Sequence, residues 1–253
     1  MYIFKYKELI NNLVVSDLKT KYSSSVLGFA WSMLNPLMMM IVLYAVFNNV
    51  FKSNQDNYVF YLLIGMTTWR FFANSTATAM GSIVIKANLV TKISIPREIL
   101  TLSVVLSSLI SSILEFMVLI VLLIIFGVVI SSKILIFPLL YVLYLPIVYG
   151  MSLILASLYV YFRDLNHIWD VLMQMGFFLS PIVYPMSTIP EEYKFYYMLN
   201  PITRIIEMYR DILLYDTIPK VTDFGLVLVF GIFLLIFGSL LFKKLSRRFA
   251  EEI

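Results

Sequence analysis

Two charged residues deep inside apolar segments are the groups of this sequence best placed to do chemistry. Arg70 lies twelve residues into segment 58–85, and Glu115 lies fifteen residues from the far end of segment 99–130. At a rise of 1.5 Å per residue, these depths are about 18 and 22 Å. A lone charge at such a depth in a membrane costs about 2.5–3.5 kcal/mol even on the lenient insertion scale. We therefore expect Arg70 and Glu115 to form an ion pair, for which a structural role is the simplest explanation, or to face a hydrated interior.

Other residues of catalytic and metal sites are scarce. The chain has no cysteine and one histidine, His167, which excludes thiolate sites, cysteine catalysis and a multi-histidine metal site. The sequence also lacks G-x-x-x-x-G-K-[ST], H-E-x-x-H and G-x-S-x-G motifs. We predict that the chain is not an enzyme, has no catalytic or metal site, and has no P-loop to bind ATP.

The composition is that of a membrane protein. Of 253 residues, 61% are hydrophobic and 13% are charged, with a mean hydropathy of +0.91. Soluble domains are roughly half apolar and about a quarter charged. The sequence therefore predicts an all-α polytopic membrane protein. The net charge of +4 comes from basic residues beside apolar segments, so we predict no nucleic-acid partner.

Six segments are predicted to span the membrane, because a crossing helix needs about 20 mostly apolar residues. They are 29–51, 58–85, 99–130, 134–162, 168–184 and 224–242. The fifth segment is short and ends near Pro181 and Pro185, which favour a helix that stops or bends early. An even number of spans places both termini on one side. That side has twelve Lys and Arg residues against six on the other, so we predict that it is cytoplasmic.

Two segments outside the spans have helical apolar stripes. Residues 1–27 are predicted to form an amphipathic helix at the cytoplasmic interface, with Asp17 near its apolar face and a possible end there. In segment 186–223, Asn200-Pro201 predicts a helix start. One face of that helix carries Ile202, Ile205, Ile206, Tyr209 and Leu213, and the other carries Arg204, Glu207, Arg210 and Asp211. Packing at the membrane surface and a gating role are equally compatible with this pattern.

Aromatic residues make up 16% of the chain and are not confined to the ends of the spans. Most are ordinary lipid-facing or interface residues. A polar passage with aromatic walls would also use them, since a buried Tyr needs a hydroxyl partner. Trp31, Tyr44, Tyr149 and Tyr159 are candidates for such a passage.

Three ordered stretches resemble the ABC-2 type permeases of O-antigen, capsule and teichoic acid export. The first is LKTKYSSSVLGFAWSMLNP at 18–36. The second is FFANS at 71–75 with KANLVTKISIPR at 86–97. The third is YFRDL at 161–165 with FFLSPIVYP at 177–185 and LNP at 199–201. Arg70 has no counterpart in this pattern.

The resemblance implies one transmembrane domain over residues 1–253, in the inner or plasma membrane. Such a permease forms a homodimer, binds two copies of a separate ATPase that holds ATP and Mg²⁺, and moves a lipid-linked glycan. The family's ATPase-coupling loop corresponds to 86–98, and its outer gate to reentrant helices within 186–223. The coupling candidates are Lys86, Leu89, Val90, Lys92, Ile93 and Arg97. The gate candidates are Pro201, Ile205, Ile206 and Tyr209. A plain positively charged loop is the alternative for 86–98.

Other functions remain open. An exporter of a small molecule or drug would have the same architecture. A proton-coupled carrier would use a relay of titratable groups, but Glu115 is the only acidic residue well inside a predicted span. A membrane enzyme of glycan assembly would need concentrated carboxylates or histidines, which the sequence lacks. The glycan, its lipid carrier and any recognised terminal cap are not identified by the sequence.

Overall fold

The computed structural model describes residues 3–23, 30–49, 57–92 and 95–252, and the regular structure within these ranges is helical throughout. The helices are α1 (Lys7–Ser23), α2 (Ala30–Asn49), α3 (Tyr58–Met80), α4 (Ser82–Ile85), α5 (Ala87–Lys92), α6 (Glu98–Ile125), α7 (Phe137–Tyr159), α8 (Leu165–Phe178), α9 (Glu191–Leu199), α10 (Pro201–Leu213), α11 (Val221–Leu245) and α12 (Phe249–Glu252). Short 3₁₀ turns cover Ile3–Tyr6, Ser132–Ile136, Met186–Thr188 and Ser246–Arg248. The predicted all-α class is confirmed.

Three helices in the described ranges are long and apolar enough to cross a membrane. They are Glu98–Ile125, Ser132–Tyr159 and Val221–Arg248, each of 28 residues. These helices coincide with the third, fourth and sixth predicted spans. A shorter apolar helical stretch, Pro36–Val46, lies within α2. The chain is therefore a helical membrane protein.

Several helix ends differ from the predicted segments. The helix predicted over 58–85 is interrupted after Met80, where Gly81 separates α3 from α4. The helix predicted to reach residue 130 ends at Ile125, because Gly127 follows in the left-handed region with φ of 81°. The fifth segment, predicted over 168–184, corresponds to α8, which begins earlier at Leu165 and ends at Phe178, before Ser180-Pro181.

Helices α7 and α11 approach closely along a line of glycines. A Cβ atom on Gly238 would lie 2.4 Å from the carbonyl oxygen of Gly150, and one on Gly150 would lie 2.5 Å from the carbonyl carbon of Leu234. Small residues of this kind let the backbones of membrane helices meet, which maximises van der Waals contact. The glycines therefore fix the position of α11 on the bundle.

Helix α3 occupies the centre of the fold and packs against α6, α7 and α10. Phe71 of α3 meets Tyr144 of α7 edge to face, with ring centroids 5.3 Å apart. Helix α1 lies on α6 through a small cluster of Ile10, Val14 and Ile99. The same three helices, α1, α3 and α6, carry the polar residues described next.

Candidate functional site

A polar cavity of about 570 Å³ lies between α1, α3 and α6. Residues four apart on α3 and the segment after it line one wall: Arg70, Asn74, Thr78, Ser82 and Lys86. Residues at helical spacing on α6 line the facing wall: Ser107, Ser108, Ser111, Ser112 and Glu115. Residues separated by three or four positions share one face of a helix. Each wall is therefore a stripe of polar residues along one side of its segment.

Arg70 and Glu115 meet at one end of this cavity. The distance from Arg70 Nη1 to Glu115 Oε2 is 3.8 Å, and the side chains are 23% and 15% exposed. This distance makes an ion pair but exceeds that of a hydrogen bond. A guanidinium has five N–H donors, so Arg70 retains hydrogen-bonding capacity toward the cavity.

Lys86 and Asp17 meet at the other end of the cavity. Lys86 Nζ lies 2.8 Å from Asp17 Oδ2 and 3.2 Å from Ser103 Oγ. Ser103 Oγ also donates to Asp17 Oδ2 over 3.1 Å. The prediction of a helix end at Asp17 is wrong, because these partners satisfy the carboxylate and α1 continues to Ser23.

Lys21 adds a third cation to the cavity from the last turn of α1. Its Nζ donates to Ser111 Oγ over 3.2 Å. The described lining thus contains three cations, Lys21, Arg70 and Lys86, and two carboxylates, Asp17 and Glu115. The charges of these five residues sum to a net positive charge.

Arg210 forms a second polar centre, which the amphipathic pattern of α10 missed. The residue is fully buried, although the sequence places it on the polar face of α10, opposite the apolar stripe. Its guanidinium donates to the carbonyl oxygens of Tyr61 at 3.1 Å, Pro181 at 2.7 Å and Ile182 at 3.1 Å. It also donates to Glu207 Oε1 at 2.6 Å. Arg210 therefore joins α10 to α3 and to the turn after α8.

The apolar face of α10 is buried in the bundle. Tyr209 stacks on Phe116 of α6 with centroids 4.8 Å apart, and Ile205 and Ile206 are at most 1% exposed. Asn200 accepts a hydrogen bond from the Ile202 amide at 3.0 Å, which starts the helix at Pro201. The four gate candidates thus lie on one helix that packs inward.

The coupling candidates have mixed environments. Val90 is 6% exposed and packs in a cluster with Phe242 and Phe249. Arg97 donates to the Ser246 carbonyl and lies over the Phe249 ring, 5.8 Å from its centroid. Leu89 is half-buried and Lys92 is exposed. Lys86 belongs to the cavity, and Ile93 lies outside the described residues.

The four aromatic candidates for a passage lie on two helices in different environments. Trp31 and Tyr44 of α2 are 51% and 49% exposed. Tyr149 Oη reaches the Glu98 carbonyl over 3.4 Å, and the Tyr159 ring packs beneath the Arg163 guanidinium at 5.4 Å. These four residues do not form one aromatic cluster within a single copy of the chain.

The connection after α10 is tied to the start of the 3₁₀ turn before α7. Lys133 Nζ lies 2.9 Å from Asp216 Oδ1, and Ser131 Oγ donates to the same oxygen. These hydrogen bonds lower the pKa of the Asp216 carboxyl below its ordinary value of 3.8. The pairing stabilises the charged form of Asp216 at neutral pH.

The chain is similar to known transport proteins along nearly its whole length. The sequence matches the ABC-2 type transporter family over residues 8–214. It is 31% identical to the O-antigen export system permease protein RfbA of Myxococcus xanthus over 253 residues, covering 99% of this chain and 97% of that protein. RfbA of Klebsiella pneumoniae is 31% identical over 252 residues, covering 99% and 95%. The capsule polysaccharide export inner-membrane protein CtrC of Neisseria meningitidis serogroup A is 21% identical over 248 residues, covering 95% and 92%.

Proposed function

Since this chain belongs to the ABC-2 type transporter family, we propose that it is the permease subunit of an exporter of lipid-linked polysaccharide. The glycan is of the O-antigen, capsule or teichoic acid type and moves outward across the cytoplasmic membrane. The observation that carries this proposal is the similarity, over 99% of the chain, to permeases named for O-antigen export. Relatives named for capsule export extend the same substrate class.

A separate ATPase subunit powers this export. The sequence has no P-loop of its own, so ATP and Mg²⁺ bind to the partner. Two copies of this chain assemble with two copies of the ATPase. The exposed apolar residues of α2 and α8, including Trp31, Tyr44 and Val171, offer surface for lipid and for the second copy. The passage lies between the copies, where Trp31 and Tyr44 contact sugar rings.

Six spans with both termini in the cytoplasm fit this role. Helices α6, α7 and α11 are three of the spans, and α2, α3 and α8 supply the others. The charge asymmetry of twelve Lys and Arg residues against six supports the orientation. With this topology, segment 86–98 faces the ATPase and α9 and α10 lie on the outer side.

Segment 86–98 transmits the movement of the ATPase. Val90 and Arg97 hold the segment on the bundle through the Phe249 cluster. Thr91 and Lys92 are exposed at the end of α5 and contact the partner. The apolar side of this short element is buried in the chain itself, so its polar end is the part that meets the partner.

Helix α10 acts as the outer gate. The buried residues Ile205, Ile206 and Tyr209 support this role, because they connect α10 to the core of the bundle. Arg210 links the same helix to α3, which is connected through Gly81 and α4 to segment 86–98. A change at the ATPase side would therefore reach α10 through α3.

Purification of the tagged chain from its native membrane in mild detergent tests the function. We expect a soluble ATPase with its own P-loop to copurify in equal amount, and deletion of the chain to leave lipid-linked glycan at the inner leaflet. A chain that purifies alone, with export that survives loss of the ATPase, would overturn the proposal. Unchanged glycan export with a changed drug sensitivity would indicate a small-molecule exporter instead.

A further inference from the structure

We infer that the cavity between α1, α3 and α6 binds the phosphate-bearing headgroup of a membrane lipid. This inference rests on the proposed function, since a lipid-linked glycan needs a site for the group that joins its lipid and sugar parts. The cavity volume of about 570 Å³ lies in the range of about 300–1,000 Å³ that is typical of small-ligand sites. The site is separate from the gate and shares only Lys86 with segment 86–98.

The charges of the cavity suit an anion with several oxygens. Lys21, which donates to Ser111, and Arg70 supply two cations near Glu115, whereas Lys86 pairs with Asp17 at the other end of the cavity. Arg70 is held 3.8 Å from Glu115 Oε2, so its N–H groups are oriented without being saturated. An Arg guanidinium matches the geometry of phosphate oxygens and binds them with two parallel hydrogen bonds.

The uncharged residues of the cavity add hydrogen-bond donors at the same place. Asn74 and Thr78 are exposed toward the cavity from α3, and Ser108 faces them from α6. Hydroxyl groups rotate to donate or accept. A phosphate between the two walls would therefore meet charged and neutral donors from α3 and α6 together.

An apolar neighbour of the cavity favours a lipid over a free anion. A second cavity of about 490 Å³ lies between α1 and α6 and is lined in part by Val14, Leu106, Leu109 and Ile110. Leu109 and Ile110 directly precede Ser111 of the polar wall on α6. A headgroup in the polar cavity thus has an apolar surface beside it for a hydrocarbon chain.

The inference makes opposite predictions for the two members of the deep ion pair. Arg70→Gln removes the main phosphate donor, so binding should weaken by roughly tenfold to a hundredfold, as for the loss of one charged hydrogen-bond partner. Glu115→Gln removes a carboxylate that repels phosphate and competes for Arg70, so binding should stay equal or tighten. If the pair were only structural, neither change would alter binding selectively.

Binding of farnesyl diphosphate to the permease–ATPase complex in phosphatidylcholine nanodiscs tests the site, with farnesol and inorganic pyrophosphate as reference probes. Lys194→Gln is the matched control, because it removes the same charge outside the cavity, where Lys194 pairs with Glu191. Asn74→Leu is a second variant that changes no charge and replaces an exposed residue, in case Arg70→Gln fails to fold. We expect both cavity variants, but not Lys194→Gln, to weaken diphosphate binding.

Three results would overturn the inference. Equal affinity of Arg70→Gln, Asn74→Leu and the unsubstituted complex for farnesyl diphosphate would show that the cavity is not the site. Equal binding of farnesol would show that the phosphate is not recognised. Binding of pyrophosphate as tight as that of farnesyl diphosphate would assign the cavity to a free anion. A complex that still exports glycan while giving any of these results would leave the proposed function intact.

Discussion

The guanidinium carbon Cζ of Arg210 lies over the ring of Tyr61, 3.3 Å from the ring centroid. The same guanidinium donates to the Tyr61 carbonyl oxygen through Nε and Nη2. One residue of α3 thus supplies both a π surface and a backbone acceptor to a cation from α10. Glu207, one turn earlier on α10, neutralises the charge. The Arg210 guanidinium, the ring and carbonyl oxygen of Tyr61 and the Glu207 carboxylate thus form one interaction network within the bundle.

Loss of the Arg210 charge should destabilise the protein strongly. Arg210→Gln leaves Glu207 and three carbonyl oxygens without their donor, and breaking a buried ion pair from one side costs about 3–5 kcal/mol. Arg210→Lys keeps the charge but cannot donate to all of these acceptors at once, so its loss should be smaller. Thermal unfolding of the purified chain in detergent measures both changes.

Lys194→Gln is the control for charge removal, because Lys194 forms an exposed pair with Glu191 on α9. Exposed pairs of this kind contribute about 0–1 kcal/mol. An Arg210→Gln variant as stable as Lys194→Gln would mean that the buried contacts of Arg210 do not hold α10 in place.

The sequence predicted one face of α10 correctly and missed the other. Apolar residues at helical spacing identify the buried face that includes Ile205, Ile206 and Tyr209, because burial follows the period of the helix. Arg210 shares the polar face with Asp211, and composition alone cannot separate them. The partners of Arg210 are mostly backbone carbonyls from other segments, and carbonyls have no signature in a sequence.

Gly238→Ala should separate α11 from α7. The added Cβ would lie 2.4 Å from the Gly150 carbonyl oxygen, and backbone atoms cannot move aside by changing rotamer. Overpacking of this kind costs about 1–3 kcal/mol. We expect a lower unfolding temperature and faster proteolysis in the segment that contains α11.

Gly225→Ala on the same helix is the matched control, since nothing lies within 4 Å of the added Cβ. It makes the same chemical change without a clash, and alanine favours helix more than glycine does. Equal stability of the two alanine variants would contradict the close approach of α7 and α11.

One wall of the polar cavity is present in the sequence as a repeat of polar residues, but a prediction based on charged residues alone does not include it. Arg70, Asn74, Thr78, Ser82 and Lys86 recur every four residues. The predicted depths of Arg70 and Glu115 in the membrane are similar, and the structure places their side chains 3.8 Å apart. The contribution of α1 through Asp17 and Lys21 could not be predicted, because the sequence does not show where an interfacial helix crosses the bundle.

Asp216→Asn should remove a contribution to stability that depends on pH. The folded-state pKa of Asp216 is lowered by Ser131 and Lys133, so its contribution is present above the ordinary value of 3.8. It is lost as the pH falls through the lowered pKa. The unfolding temperatures of the two proteins should differ at about pH 7 and converge in strong acid.

Asparagine is the suitable replacement because Asp216 has a φ of 47°, in the left-handed region that Asn tolerates better than most residues. The substitution therefore changes the charge without adding backbone strain. A difference in unfolding temperature that stays the same down to about pH 3 would show that the ionised carboxylate is not the stabilising group.

Lys92→Glu should uncouple the ATPase from export. Lys92 is exposed at the end of α5, while Val90 of the same helix is buried among Phe242 and Phe249. The reversed charge should therefore act on the partner surface and leave the fold intact. If Lys92 faces an acidic residue of the ATPase, the substitution places like charges opposite each other, which costs several kcal/mol, and export should fall by about tenfold or more. Normal membrane insertion and normal unfolding temperature are expected.

The control for Lys92→Glu is Lys244→Glu, which reverses an exposed charge on the last turn of α11. Both residues belong to the side that the positive-inside rule assigns to the cytoplasm, so any effect on topology should be shared. Cell-surface glycan and the ATPase activity of the purified complex are measured for both variants. Equal export by Lys92→Glu and Lys244→Glu would remove segment 86–98 from the contact with the ATPase. A selective loss in Lys92→Glu, at equal protein level, would assign that contact to the exposed end of α5.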